Sequence, residues 1–245
     1  MSLACETTAP LFEDVPPAEE LWADGVEALE GTRILGLYTW VSYSNAIEIF
    51  QSILDNYPYS EYAVEAELKI ADAYFADEKY EEALSYYRDF SDLHPQHAQV
   101  PYTIYQAALC HQRQVLESDR DQGATRDALV FLDRLLLRHP HSAFAEEAEE
   151  LWRDLQTRLA ESVEGIADFY FERGEYEAAS ERYRALLNEY PGLGLDARVL
   201  FKLGEAYQAL QRVDEADRIF RTLLAHYAES EFAFKARTKL ATNLP

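Results

Sequence analysis

Residues 61–95 read EYAVEAELKIADAYFADEKYEEALSYYRDFSDLHP, and the spacing of apolar residues in this stretch decides the fold. In its first half Ala63, Ala66, Ile70, Ala71 and Tyr74 recur at steps of three and four, which is one face of a helix. Tyr80, Ala83, Leu84, Tyr87 and Phe90 do the same in the second half, and Pro95 stops the run. The segment therefore reads as two amphipathic helices joined by a tight turn. Neither can bury its apolar stripe alone, so both need further copies to pack against.

Those copies are present. An Ala, a ring or Leu four residues on, an apolar residue three further and a Pro five beyond recur as Ala46/Phe50/Ile53/Pro58, Ala83/Tyr87/Phe90/Pro95, Ala128/Leu132/Leu135/Pro140 and Ala179/Tyr183/Leu186/Pro191. A fifth set, Ala216/Phe220/Leu223/Ala228, lacks only the Pro. The first helix recurs as a small residue with a packing residue three later, in Ala71/Tyr74, Ala107/Cys110, Ala167/Tyr170 and Gly204/Tyr207. A small side chain there lets the paired helix approach closely. The pattern resembles the tetratricopeptide repeat (TPR) over roughly residues 40 to 230 and implies an all-α fold. That fold is a right-handed α-solenoid of five helix-turn-helix repeats plus a C-terminal capping helix.

Composition narrows the function. The chain has 245 residues, 48% of them hydrophobic, enough for a large buried core in one continuous solenoid. Its formal charge of -23 argues against a nucleic-acid binder, which needs clustered Lys and Arg. That acidity fits solvated helix faces or a basic partner. Two cysteines, Cys5 and Cys110, are too few for a disulfide framework. No apolar run approaches the ~20 residues of a spanning helix.

Residues 1–18 lack periodicity, carry Pro10, Pro16 and Pro17, and read as a flexible tether before a solenoid at 19–245. Leu3, Ala4 and Cys5 match the end of a bacterial lipobox, which makes Cys5 a lipidation candidate, with an incidental thiol as the other reading. The charged and apolar parts of a signal peptide do not precede it, so the expectation is a chain that begins where that signal ended. A helix is expected over Glu19 to Glu30; Gly31, Gly36 and the aromatic run to Tyr43 then interrupt the usual short turn. Trp40 and Tyr43 read as a cover for the end of the solenoid, or as a partner site.

From Pro to Pro, the third repeat is eight residues longer than the second, and the surplus falls in the polar stretch between Cys110 and Ala128. A surface loop is expected there, with Asp121 or Thr125 capping the next helix and Asp119, Arg120 and Asp121 either paired locally or offered as a contact. The fourth repeat is fourteen residues longer, close to four turns at ~3.6 residues each, so its apolar face keeps direction. Phe144, Ala148, Leu151, Leu155, Leu159, Val163, Ile166 and Tyr170 mark that seam. One long helix is expected from Ser142 to Glu172, closed by Gly174, as a strut between N-terminal repeats at 19–141 and C-terminal repeats at 142–245.

Counting along the first helices places Leu68, Asp72 and Phe75, then Ile104 and His111, on the side a TPR stack turns inward. Asp168 and Phe171, then Phe201 and Glu205, follow in the later repeats. Apolar groups alternating with acids could hold an extended peptide bearing Lys or Arg; an aromatic stripe at this spacing is equally what a core requires. The acids exclude the mode in which a Lys- and Arg-lined groove grips a free C-terminal carboxylate. No catalytic constellation, cofactor-binding motif or metal-ligand spacing is found, and Cys110, in a slot other repeats fill with Tyr, reads as a packing residue.

More specific runs are YPYSEYAVEAELKIADAYF at Tyr57 to Phe75, LHP at Leu93 to Pro95 followed by VPY at Val100 to Tyr102, DRDQ at Asp119 to Gln122, and FYFERGEYEAA at Phe169 to Ala179. In these the chain resembles the BamD family of outer-membrane β-barrel assembly lipoproteins, from about Ser42 onward. The resemblance implies a non-catalytic scaffold, lipid-anchored through Cys5 to the periplasmic face of the outer membrane. It would bind the periplasmic domains of BamA and unfolded outer-membrane protein substrates. It also implies a partner contact at Arg182, beside Tyr183, where an Arg could pair bidentately with a carboxylate or merely stay solvated. A different periplasmic TPR adaptor, one coordinating envelope constriction or cell division, would share the repeats but not the loop of repeat three or the lipid.

Overall fold

The computed structural model describes residues 15–34 and 38–242, with 32–34, 38–40 and 242 traced by backbone alone. Cys5, most of the expected tether and the Trp40 side chain lie outside what is described. In chain order the elements are α1 (Ala18–Glu30), β1 (Thr32–Ile34), β2 (Tyr38–Trp40), α2 (Tyr43–Asn56), α3 (Ala63–Ala76), α4 (Tyr80–Leu93) and α5 (Val100–Gln112). Then come α6 (Gly123–Arg138), α7 (Ala145–Glu172), α8 (Tyr176–Glu189), α9 (Asp196–Ala209), α10 (Val213–His226) and α11 (Glu231–Thr242). This is the TPR α-solenoid class: five successive helix pairs and a terminal helix. The chain divides into two compact units, one ending at Cys110 and the other beginning at His111. That division falls within α5, and α6 packs against the long α7 of its own unit.

In the first unit α1 packs on α2, α2 on α3 and α3 on α4; in the second the same sequential packing runs from α6 to α11. There α11 also packs back on α9, the contact between alternate helices that stacked hairpins require. The recurring quartets form the interior. Every Ala, ring or Leu, and following apolar residue of all five sets is essentially inaccessible to solvent. The second-helix ring faces the small residue of the first helix: a Cβ built on Gly25 would sit 2.7 Å from the Phe50 ring. One built on Gly204 would collide with the ring of Phe220. Gly25 thus supplies α1 with the small residue that later first helices carry.

The turns within pairs also repeat. Glu78, Gly174 and Gln211 all take the left-handed conformation, with φ of 59°, 77° and 61°. In each, the next residue's N–H reaches back to a tyrosine carbonyl at 2.9 Å: Lys79 to Tyr74, Glu175 to Tyr170 and Arg212 to Tyr207. This closes the first helix with a Schellman-type bond. Gly174 fits without strain; Glu78 and Gln211 carry a Cβ that disfavours this region.

α7 runs 28 residues, about 42 Å at ~1.5 Å per residue. Its start is three residues later than the sequence suggests. Ala148, Leu155, Leu159, Ala160, Glu164 and Ala167 are buried on it. Ile166, expected in the seam, is instead 49% exposed. Beyond Leu159 the buried stripe moves one residue toward the C-terminus, which puts Ala167 in the core that holds Tyr183, at the sixteen-residue interval that separates Gly204 from the Phe220 ring it meets. The aromatic run after Gly31 also differs from expectation. It contains a two-stranded antiparallel hairpin, with Thr32 opposite Trp40 and Ile34 opposite Tyr38. Tyr43 begins α2 and packs, partly buried, on the first-unit core.

Two substitutions test this packing. Gly204→Ala is expected to cost about 1–3 kcal/mol by overpacking against Phe220, read as a lower urea midpoint, and Phe220→Leu in the same chain should restore part of the loss. Gln211→Gly should relieve the left-handed strain and gain about 1 kcal/mol, raising the melting temperature; a lower one would contradict this reading of the turn.

Candidate functional site

The side chains that tie one repeat to the next lie on the first helices, and a carboxylate is at the centre of each tie. In the first unit α3 presents Asp72, whose Oδ1 accepts from the Tyr87 hydroxyl at 2.8 Å and the Tyr102 hydroxyl at 2.6 Å. Burial, and then the Asp72 charge, push both phenols well above the usual tyrosine range, so they stay protonated donors. Leu68 and Ile104, expected in a groove, are core residues, while Phe75 is half-buried with its ring edge-on to Tyr80 at 5.4 Å.

The second unit repeats the device with cations. Tyr183 follows Asp168 by the interval that separates Tyr87 from Asp72, and its hydroxyl donates to Asp168 Oδ1 at 2.5 Å. Lys202 Nζ, from α9, lies 2.7 Å from Asp168 Oδ2 and 2.8 Å from Glu164 Oε1. Glu164 is only 4% exposed and also accepts from the Arg198 guanidinium. That hydrogen bond, acting against burial, raises the Arg198 pKa further. Two helices on, Lys239 of α11 pairs with Glu205 of α9 at 2.7 Å. Phe201 is in the core against Phe220 and Phe232, and Phe171 is edge-on to Tyr176. His111 stacks on Phe131 at 5.6 Å, and burial lowers its pKa.

Of the nine expected groove residues, Leu68, Ile104 and Phe201 are therefore interior. Asp72, Asp168 and Glu205 are engaged by neighbouring repeats. Sequence reading missed Glu164, Arg198 and Lys202. Their signal was available: two acids four residues apart on one helix face and two cations four apart on the next first helix.

Of the expected partner contact, Tyr183 is buried and spent on Asp168, so it offers no surface. Arg182 is half-buried, with its guanidinium 4.0 Å over the Tyr170 ring and Nη1 donating to the Ala178 carbonyl at 3.1 Å. The same end of α7 exposes Ile166 and Phe169, the latter 54% accessible and covered on one side by Arg173 at 5.3 Å. Those apolar residues and Gly165 form one wall of a cleft of about 590 Å³, with Ser118, Asp119 and Arg120 on the other.

That second wall is the loop of repeat three, and it is built rather than loose. Gln122 is buried; its amide donates to the carbonyls of Glu117 at 2.8 Å and Arg120 at 3.1 Å, and its Oε1 accepts from Thr125 at 2.8 Å. Neither expected residue is the cap: Gln122 holds that position without a side-chain cap bond, Asp121 before it accepts from the Gly123 N–H at 2.9 Å, and Thr125 is buried and serves Gln122. Arg158 of α7 donates to the Leu116 carbonyl at 2.9 Å and holds the loop against the long helix.

Among the described residues no three His, Cys, Asp or Glu side chains are grouped to hold a metal ion, and no helix is long and apolar enough to cross a membrane. Cys110 is buried, and burial pushes its thiol up to about 12, which leaves it unreactive. His94 pairs with Glu67 at 3.0 Å, and both His94 and His97 pack on the Phe90 ring beside Pro95.

Comparison with known proteins gives a consistent grouping. The model of the family YfiO, described as outer membrane lipoprotein, matches residues 35–219. The chain is 29% identical over 224 residues to the outer membrane protein assembly factor BamD of Vibrio cholerae, covering 87% of this chain and 89% of that one. It is 27% identical over 244 residues to BamD of Neisseria meningitidis serogroup A, with coverage of 94% and 88%. To BamD of Caulobacter vibrioides it is 27% identical over 202 residues, 82% of this chain and 63% of that one. Among solved structures it is similar to the TPR domain of P58(IPK), with a TM-score of 0.46 at 15% identity over 90% of this chain and 54% of the other.

Lys202→Met would leave the buried Glu164 with Arg198 alone and Asp168 without a cation. A loss of about 2 kcal/mol is expected, below the value for a fully buried pair because Lys202 is partly solvated. Urea unfolding measures it, and an unchanged midpoint would mean that the α7–α9 tie contributes nothing.

Proposed function

The chain belongs to the YfiO family of outer-membrane lipoproteins, and we propose that it is a non-catalytic scaffold subunit of the machinery that assembles β-barrel proteins in the outer membrane. In this reading it binds the periplasmic domains of a BamA-like barrel subunit and unfolded outer-membrane protein substrates. It works at the periplasmic face of the outer membrane, anchored through a lipid on Cys5. The observation that carries the reading is likeness over most of the chain to proteins named as outer membrane protein assembly factors.

The physical character of the surfaces supports it. A scaffold needs a preformed interior and side chains held ready for a partner, so that little is lost in ordering them on binding. Arg182 meets that need. Stacking on Tyr170 and one bond to the Ala178 carbonyl fix the guanidinium, which keeps other N–H groups for a partner carboxylate. The exposed Ile166 and Phe169, on the same stretch of α7 as Tyr170, supply apolar area for the centre of such an interface.

Arg182→Glu reverses the charge without touching the core. Binding of the purified chain to the periplasmic domains of the barrel subunit is expected to weaken about tenfold or more, with helical content and melting temperature unchanged. Wild-type affinity in the variant would discard Arg182 as the contact, and failure of the wild-type chain to bind those domains would discard the partner.

A further inference from the structure

Both units contain a first-helix carboxylate that accepts from a tyrosine fifteen residues on, yet they neutralise it differently. Asp168 receives the Lys202 ammonium. In the first unit, with the small residues Ala107 and Gly204 matched, Tyr105 stands at the place of Lys202 and Tyr102 at that of Val199. Among the described residues, the partners of Asp72 are two phenols, both on Oδ1. Neutral donors leave its negative charge standing and its second oxygen with acceptor capacity.

Beside these groups is a cavity of about 130 Å³, lined by Glu65, Leu68, Lys69, Asp72, Gln99 and Tyr102. It is too small for a stretch of chain, and its size suits the head of one side chain. Two carboxylates against one ammonium leave the lining acidic, the Tyr102 ring and Leu68 give an apolar wall for an aliphatic stem, and Asp72 is held in place by its two hydroxyl donors. We infer that this cavity is a recognition pocket for a single Lys or Arg side chain of an extended segment, with Asp72 as its charge partner. The guest supplies from outside what Lys202 supplies within the second unit. Lys69, also in the lining, is the cation whose charge opposes that of a guest.

The inference rests on the substrate-holding part of the proposed role and is independent of the contact at Arg182. The test uses the full chain and two fluorescent peptides of about ten residues, alternating apolar and polar, one with a central Arg and the other with citrulline, its neutral isostere. Fluorescence anisotropy on the wild-type protein should show the Arg peptide binding about tenfold tighter. Asp72→Asn keeps an acceptor for both phenols and removes the charge; it should abolish the difference, lowering the Arg peptide to the citrulline value. Lys69→Gln should tighten the Arg peptide about threefold and leave the citrulline peptide unchanged.

Equal binding of the two peptides by the wild-type chain overturns the pocket while leaving a substrate groove possible. Binding of neither overturns both. Should Asp72→Asn fail to fold, the wild-type comparison and the Lys69 variant still decide. Discrimination that persists in a folded Asp72→Asn protein shows that the cation sits elsewhere, which also overturns the assignment.

Discussion

The close approach of two helices through one small residue is the constraint on which the rest depends. A Gly or Ala on the first helix of a pair leaves room for a ring from the second, and the ring is then wholly enclosed, as Phe50, Tyr87, Tyr183 and Phe220 are. Enclosing an aromatic side chain removes roughly 150–250 Å² from water and fixes helix spacing to within a methyl group. Where the ring is a tyrosine, its hydroxyl must find a partner inside, and Asp72 and Asp168 provide it. The carboxylate so recruited is then placed to accept from the next first helix, through Tyr102 in one unit and Lys202 in the other. Packing within a pair and linkage between pairs are consequences of one geometry.

This economy explains how an acidic chain remains folded. The formal charge of -23 opposes compaction, and the first helices carry acids on the side where repeats meet. Within the second unit Glu164, Asp168 and Glu205 are met by Arg198, Lys202 and Lys239 from the following first helix, so repulsion becomes attraction where helices touch. Asp196, also buried, accepts from the Gly192 N–H at its own helix start. In the first unit Asp72 is met by two tyrosine hydroxyls, Glu67 by His94 and Asp77 by Lys79, so the two units answer their acids with different groups.

Much of this was legible in the sequence. The five quartets located every second helix and its buried face, and the fourteen extra residues of repeat four announced the continuous α7. Periodicity could not show where a stripe drifts: Ile166 fits the seam by spacing, but Ala167, a small residue sixteen before Tyr183 as Gly204 is before Phe220, takes the inward place. Nor could it separate a groove from a core. Leu68, Ile104 and Phe201 share their spacing with half-buried residues such as Phe75 and Phe171, and burial depends on the neighbouring helix. The hairpin after Gly31 was hidden because three-residue strands have no period to read, and the buried Gln122 because a polar residue in a polar loop gives no sign of facing inward.

On the proposed reading the chain is a preformed framework, and partners dock on it without remodelling it. Amide hydrogen exchange with and without the periplasmic domains of the barrel subunit tests this most directly. The helices that enclose Phe50, Tyr87, Tyr183 and Phe220 should be fully protected in both states, with protection gained on binding confined to exposed ends such as the C-terminal turns of α7 and the start of α8. Weak protection of those helices in the free chain, with gains spread across the repeats on binding, would show instead a protein that folds around its partner.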